Sequence, residues 1–154
     1  MTTFPPIEEL LLHRDNMLLL KEVTAFSDAA ATCLSIPDAD AWYASAADGA
    51  MPAWIGIELM AQAIAAHVAL LARRDGKAPK AGVLLGTRDF RSAQSSFAGG
   101  SPLLVHASQS FRNADGLASY DCRIESEQGE ELAAAALTVY EPDNFEQFIS
   151  GITD

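Results

Sequence analysis

The alternation of apolar and polar positions divides the chain into two short strands, one long helix and a series of further strands. Apolar runs at 17–23 and 30–36 predict strands that pair as a hairpin across residues 26–28. Residues 52–74 are apolar on most faces, which predicts a buried helix roughly 33 Å long. Pro52 is expected in the first turn of this helix, where its missing N–H costs nothing.

After the helix the period of the pattern changes to that of strands. Gly86 lies inside the first of them, where a glycine predicts a bulge or a close approach of another segment. Tight turns at 113–116 and 128–129 separate the later strands, so we expect an antiparallel meander. The predicted strands are 82–90, 102–111, 117–126 and 131–140.

The order of these elements predicts an α+β domain with the hotdog fold, spanning residues 1–154. A helix that is apolar on most faces has to be wrapped, and one curved antiparallel sheet accomplishes this. The outer strands of such a sheet expose unpaired backbone groups, so we expect a dimer in which the sheet continues across the interface. The tail has apolar residues at helical spacing that would cover an edge or a partner: Phe145, Phe148, Ile149 and Ile152.

Composition and charge argue against several classes of protein. The net charge of −11 argues against nucleic-acid binding. Glu58, Gln62 and His67 interrupt the long helix, which argues against insertion into a membrane. The first residues lack the basic and apolar segments of a signal peptide. Cys33 and Cys122 lack metal-ligand spacing and are typical of small buried residues in a reducing compartment, so we expect a cytoplasmic protein.

Basic residues are concentrated around the end of the long helix and the strand after it. Six of the ten lysines and arginines lie between positions 73 and 91. A cationic patch on an acidic protein would bind an acidic partner. The alternative is a solvated helix end, in which arginines complement the C-terminal dipole. The candidate partner-binding residues are Arg73, Arg74, Lys77, Arg88 and Arg91.

Glu58 and Gln62 are the helix residues that indicate chemistry. They are four apart and share one face, among apolar neighbours. Burial disfavours the charged form of a carboxyl group, so we expect the pKa of Glu58 to be raised. The alternative is a structural glutamate near a helix start, where the macrodipole favours an acid.

Three segments of the chain resemble the 3-hydroxyacyl-[acyl carrier protein] dehydratases. They are 10–20 (LLLHRDNMLLL) followed by Val23, Pro52 with 58–63 (ELMAQA), and 82–88 (GVLLGTR). The last looks closer to one branch, the dehydratase-like proteins of aryl polyene gene clusters. The segments occur in family order. The resemblance implies dehydration of a 3-hydroxyacyl thioester, bound to acyl carrier protein or coenzyme A, to the trans-2-enoyl thioester.

The resemblance departs from the family pattern at one important position. Ordinary fatty-acid dehydratases place a catalytic histidine fourteen residues before the helix glutamate, in an HFPG motif, and Ala44 stands there. His67 would face away from Glu58, and His106 lies in a distant strand. The resemblance therefore implies His13 as a substituted base. The alternative is that His13 only caps the first turn and packs nearby.

The implied mechanism requires no metal and no organic cofactor. His13 would take the C2 proton, and Glu58, protonated because of its raised pKa, would give a proton to the leaving hydroxyl. The neighbouring amide would hold the acid in orientation, and backbone N–H groups at the helix start would bind the thioester carbonyl. The candidate substrate-binding residues are Gln62, Gly56, Trp54 and Met60.

Two other functions fit the same residues. A hotdog thioesterase would use Glu58 to activate water and would need no histidine. A non-catalytic subunit, paired with an active dehydratase of similar fold, would account for the missing HFPG histidine. The sequence leaves open whether the assembly is a homodimer or a heterodimer.

Overall fold

The computed structural model describes residues 3–11, 13, 15–78 and 82–141. Within them, a short 3-10 turn at Asp15–Met17 lies between the first helix and the first strand. The helices and strands are, in chain order, α1 (Ile7–Leu10), β1 (Glu22–Phe26), β2 (Ala30–Ser35), β3 (Met51–Pro52), α2 (Ile55–Arg74), β4 (Val83–Ser92), β5 (Ser96–Phe97), β6 (Leu103–Arg112), β7 (Leu117–Ser126) and β8 (Glu131–Tyr140).

One long helix packs against a six-stranded antiparallel sheet, as the sequence predicts. The strand order is β1-β2-β6-β7-β8-β4, and α2 contacts β2, β6 and β7 most closely. Leu59, Met60, Ala63 and Ala66 of this helix are completely buried. α2 is long and apolar enough to cross a membrane, but 67 % of its apolar stretch is buried inside the protein. It is therefore the core helix of an α+β domain.

The segment 17–23 is a strand only at its end, contrary to the prediction. The carbonyl of Met17 accepts a hydrogen bond from the side-chain amide of Gln62, and the N–H of Leu19 donates one to it. A side chain, rather than a neighbouring strand, therefore binds this backbone. Regular strand pairing begins only at Glu22, the first residue of β1.

The long helix also begins three residues later than predicted. Pro52 belongs to β3, which pairs with β5. The N–H of Ala53 then donates to the carbonyl of Ser95 at 3.0 Å. Because the backbone is still engaged in a strand-like contact at Ala53, the helix starts at Ile55, and it ends at Arg74 as predicted.

The strands after the helix are confirmed, and Leu117–Ser126 and Glu131–Tyr140 agree to the residue. The pairing of β4 with β8 shifts register between Leu84 and Gly86, which confirms the bulge. β1 and β4 are the edges of the sheet, and β4 exposes Leu84 and Leu85. The tail residues with helical spacing lie outside the described residues: Phe145, Phe148, Ile149 and Ile152.

Both cysteines are buried in the core, as expected. Burial raises the pKa of Cys33 to about 12, and burial is also the main cause that raises the pKa of Cys122 to about 12. Thiols that remain protonated at neutral pH are poor nucleophiles and poor metal ligands. These two side chains therefore serve as small core residues.

His67 joins the core helix to the sheet through a buried hydrogen-bond network. Its Nε2 lies 3.1 Å from the carbonyl oxygens of Ser27 and Asp28, which only accept, so Nε2 carries the hydrogen. Its Nδ1 accepts from the Tyr120 hydroxyl at 2.7 Å, and Gln109 donates to that hydroxyl at 3.2 Å. Burial lowers the pKa of His67 below its usual value. The network holds the β1–β2 turn against α2.

We predict that His67 makes stability dependent on pH. The folded-state pKa of His67 lies below the unfolded value of 6.5. The contribution of the neutral ring to the free energy of unfolding is therefore complete above pH 6.5 and is lost as the pH falls towards the folded-state pKa. The difference in unfolding free energy between wild type and His67→Gln should therefore narrow from pH 7.5 to pH 5, measured by urea denaturation. A difference that is constant over this range would contradict the prediction.

Candidate active site

His13 and Glu58 meet at the start of the core helix. Glu58 lies in the first turn of α2, and His13 lies between α1 and the 3-10 turn. The two atoms His13 Nε2 and Glu58 Oε1 are 3.2 Å apart, with side chains 32 % and 39 % exposed. Both groups belong to one chain and remain accessible. A base and an acid in hydrogen-bond contact at a partly exposed position can exchange a proton with a bound molecule.

Gln62 fixes this pair in place through a buried amide. Its Nε2 donates to the carbonyl of Met17 at 2.7 Å and to Glu58 Oε1 at 3.0 Å. Its Oε1 accepts from the N–H of Leu19 at 3.0 Å. Both donor hydrogens and an acceptor position of the amide are thus used by the protein. Gln62 is completely buried, so it positions Glu58 and the segment after His13 instead of contacting a substrate.

The pKa of Glu58 lies below its usual value, so the expectation of a raised pKa was wrong. Burial is the largest single influence and raises the pKa. Hydrogen bonds from His13 and Gln62, together with the charge of His13, lower it and outweigh burial. The sequence indicated both groups near Glu58, but not that their combined effect on its pKa exceeds the effect of burial. In the free protein Glu58 is therefore a carboxylate at neutral pH.

A largely apolar groove of about 190 Å³ starts at this pair and follows α2. One face of the helix forms one wall of the groove. This face contains Ala61, Ala65 and Val68, which lie three, seven and ten positions after Glu58. The opposite wall is the beginning of β4, and a second carboxylate lines the end of the groove beside Val68. The lining residues are His13, Glu58, Ala61, Ile64, Ala65, Val68, Gly82, Val83, Leu84, Val139 and Glu141.

The other residues assigned to substrate binding do not line this groove. Met60 is completely buried on the core side of the helix, and Trp54 is 64 % exposed one turn before Glu58. Gly56 is buried close to Phe97, and its N–H donates to the carbonyl of Ala53 at 2.9 Å. The structure therefore does not offer the N–H of Gly56 to a thioester carbonyl.

The five candidate partner-binding residues do not form one patch. β4 runs antiparallel to α2, because its beginning faces Val68 whereas Phe90, near its end, lies beside Gly56. Two of the basic residues flank Phe90, and the other three lie in the last turn of α2 or just after it, so about the length of the helix separates the groups. The first group is Arg88 and Arg91, and the second is Arg73, Arg74 and Lys77.

Acidic residues also compensate much of the charge at the helix end. Arg73 lies 3.7 Å from a carboxylate oxygen of Glu9. Arg74 forms ion pairs with Asp28 and with Asp75. The positive potential that the sequence predicts there is therefore reduced by neighbours from α1 and from the β1–β2 turn.

The other two histidines lie away from Glu58, as expected. His67 is buried within the sheet–helix network. His106 lies on the sheet face opposite to α2, with its Nδ1 2.8 Å from the Thr32 hydroxyl and its Nε2 3.4 Å from a carboxylate oxygen of Glu125. Neither ring reaches the groove.

The small residues and the second carboxylate of the groove were not identified from the sequence. The spacing of Ala61, Ala65 and Val68 from Glu58 follows one helical face and could have been recognised. Most strands of the sheet lie between Glu58 and Glu141 in the sequence. No local pattern therefore indicates that Glu141 lies at the same groove.

Known proteins share the fold and the family of this chain. The ApeP-like family, described as ApeP dehydratase, matches residues 5–150. The dehydratase heterocomplex ApeI:P from Xenorhabdus doucetiae contains a chain of similar structure, with a TM-score of 0.89 and 27 % identity over 99 % of this chain and 100 % of that one. No curated protein matches the sequence.

More distant structures share the hotdog fold alone. A hypothetical thioesterase from Streptococcus pneumoniae TIGR4, solved with coenzyme A, has a TM-score of 0.62 and 12 % identity over 78 % of this chain and 84 % of that one. The PaaI protein of E. coli has a TM-score of 0.59 and 13 % identity over 78 % of this chain and 82 % of that one. The fold and the resemblance to the aryl polyene dehydratase branch are confirmed. The chain belongs to the ApeP-like dehydratase family.

Proposed function

We propose that this dehydratase converts a 3-hydroxyacyl thioester into the trans-2-enoyl thioester and water, with His13 and Glu58 as the catalytic pair. The observation that carries the proposal is their 3.2 Å contact at the mouth of an apolar groove. Elimination of water requires a base for the C2 proton and an acid for the C3 hydroxyl, close to the same substrate. Such a groove suits the apolar acyl chain.

The proton of the pair has to change place before the reaction. In the free protein the ring of His13 contacts the carboxylate of Glu58. Substrate that enters between them removes the hydrogen bond and the charge of His13, which lower the pKa of Glu58, whereas burial, the largest influence, still raises it against the remaining bond from Gln62. A proton held by the pair then resides on Glu58.

The reaction itself restores the starting state. His13 takes the C2 proton, the electron pair forms the C2–C3 double bond, and the C3 hydroxyl leaves as water with the proton of Glu58. The proton that His13 takes replaces the one that Glu58 gives up, so the pair again holds one proton and is ready for the next substrate.

The acyl group arrives on acyl carrier protein or coenzyme A, and the protein acts in the cytoplasm. Two buried thiols that form no disulfide support a reducing compartment. An acidic carrier would approach either of the two basic groups, of which Arg88 and Arg91 lie toward the same end of α2 as the catalytic pair. Arg73 and Arg74 are less suited because their charges are compensated.

A second hotdog subunit would pair with the edge strand β4. This strand exposes Leu84 and Leu85 beside the groove, and an uncovered apolar edge favours association. The similar chain from Xenorhabdus doucetiae belongs to a heterocomplex, which supports a heterodimer with an ApeI-type subunit. Both catalytic residues come from one chain, so this subunit carries a complete pair.

We predict that His13→Ala and Glu58→Gln each lower kcat/KM about 10²- to 10⁴-fold, because each removes one proton-transfer group. Formation of the enoyl thioester from a 3-hydroxyacyl-coenzyme A is followed by absorbance and mass spectrometry. His106→Asn and Glu130→Gln, which change the same residue types away from the groove, are the controls and should retain activity.

Wild-type turnover in both catalytic variants would contradict the assignment of the pair. Release of free acid and thiol instead of enoyl thioester would identify a thioesterase. Activity that appears only with a partner, and that survives both substitutions, would place the chemistry in the partner subunit.

We predict that Gln62→Met moves the acid limb of the kcat/KM profile to higher pH. Loss of the amide bond removes one influence that lowers the pKa of Glu58, so the carboxylate is protonated at a higher pH than in wild type. Gln94→Met, at an exposed position, is the control and should keep the wild-type limb. An unchanged limb in active Gln62→Met would show that Glu58 does not set it.

We predict that Leu85→Lys weakens association through β4 at least tenfold, because a lysine on an edge strand opposes strand pairing. Light scattering measures the mass of the chain alone and mixed with the ApeI subunit of Xenorhabdus doucetiae. Phe111→Lys changes an equally exposed apolar residue on β6 and should leave the mass unchanged. Equal loss of association in both variants would argue against β4 as the interface.

A further inference from the structure

The backbone segment that contains His13 is held on both sides. Leu11, two residues before His13, is buried in the core. Three residues after His13, the carbonyl of Asn16 accepts a hydrogen bond of 2.8 Å from the indole N–H of Trp42. The indole thus binds the backbone one residue closer to His13 than the side-chain amide of Gln62 does.

The backbone between His13 and Asn16 includes a residue in an unfavourable conformation. Asp15 has a φ of +54°, in the left-handed region that residues other than glycine rarely adopt. Such a conformation persists only when the surrounding structure holds it. The 3-10 turn contributes one bond, from the N–H of Leu18 to the carbonyl of Asp15 at 3.2 Å. The carbonyl of Asn16 is bound from outside the turn, so the shape of this segment depends on Trp42.

Trp42 is itself held in a well-defined position, although it is 50 % exposed. It lies in the loop between β2 and β3, and its ring meets the ring of Tyr43 edge to face, with centroids 5.5 Å apart. Tyr43 is buried, and its hydroxyl accepts from the N–H of Asp38 at 2.8 Å. The N–H of Ala41 donates to the carbonyl of Asp38 at 3.1 Å and closes the loop. The indole N–H is therefore directed at Asn16 from a rigid support.

We propose that Trp42 is a positioning residue that holds the ring of His13 against Glu58 through the carbonyl of Asn16, an inference that rests on the function proposed above. Trp42 does not line the groove, so it acts on the reaction without contacting the acyl group. A reacting group displaced by about 1 Å can lower the rate about 10²-fold. One hydrogen bond three residues from the base is therefore sufficient to influence turnover.

A purely structural role of Trp42 makes a different prediction. Loss of a structural contact would lower the fraction of folded protein, but each folded molecule would retain its kcat and the wild-type pKa of Glu58. Loss of positioning lowers kcat in the folded molecules. It also weakens the contact of His13 with Glu58, which lowers the pKa of Glu58 in the wild type, so the carboxyl group then titrates at higher pH.

Two substitutions separate the indole N–H from the indole ring. Trp42→Phe keeps an aromatic ring and removes the donor, and it should lower kcat about tenfold because the base is no longer held in place. Trp42→Gln removes the ring but retains an N–H donor of similar reach, and it should keep kcat within about threefold of wild type. Both values are referred to the folded fraction, measured by circular dichroism, with a 3-hydroxyacyl-coenzyme A as substrate.

The second measurement is independent of turnover. The titration of Glu58 is followed by carbon-13 NMR of the full chain with labelled glutamate, and Glu58→Gln identifies its signal. The midpoint should move to higher pH in Trp42→Phe and remain near the wild-type value in Trp42→Gln. Phe111→Leu changes a side chain with the same 50 % exposure on β6 and should keep both kcat and the midpoint.

Wild-type kcat and an unchanged midpoint in Trp42→Phe would overturn the inference. A lower kcat in Trp42→Gln than in Trp42→Phe would also overturn it, because the ring and not the N–H would then be the support. Failure of the wild type to dehydrate the thioester, alone and with its partner subunit, would overturn the proposed function. In that event a raised midpoint in Trp42→Phe would still establish that Trp42 holds His13 against Glu58.

Discussion

One buried amide determines where the proposed catalytic pair of this protein lies. Gln62 bonds the backbone at Met17 and Leu19 and, with its remaining hydrogen, the carboxylate of Glu58. The N-terminal segment is therefore held on the core helix without a ladder of strand hydrogen bonds. His13 lies only four residues before Met17, so the same attachment brings its ring to Glu58. An unsatisfied backbone group at this depth would cost about 1–3 kcal/mol, which makes the attachment selective for an amide.

The core helix has two tasks that require different residues. Its large side chains, such as Leu59 and Met60, fill the interior against the sheet. The face that follows Glu58 towards β4 has small residues, and the space that they leave is the groove. Alanines at these positions are good helix formers, so the groove does not weaken the helix that forms its wall.

The sequence was sufficient for the fold because periodicity depends on which face of each element is buried. The helix end at Arg74 and the last two strands were predicted to the residue. Pro52 was wrongly assigned to the helix because it pairs with β5, which is distant in sequence and therefore not visible in the local pattern. The pair of His13 and Glu58 came from motif resemblance, but the pKa of Glu58 depends on a balance between burial and two hydrogen bonds that local pattern does not show. Glu141 reaches the groove only through the topology of the sheet.

The origin of the reactive pair within a single polypeptide has an evolutionary consequence. When two subunits share an active site, a change in either gene can abolish turnover, and both sequences are constrained together. Here one gene encodes His13 and Glu58 with the amide that aligns them. A partner subunit would then have no need to supply either group, so its sequence would be free to diverge in shape, stability or regulation.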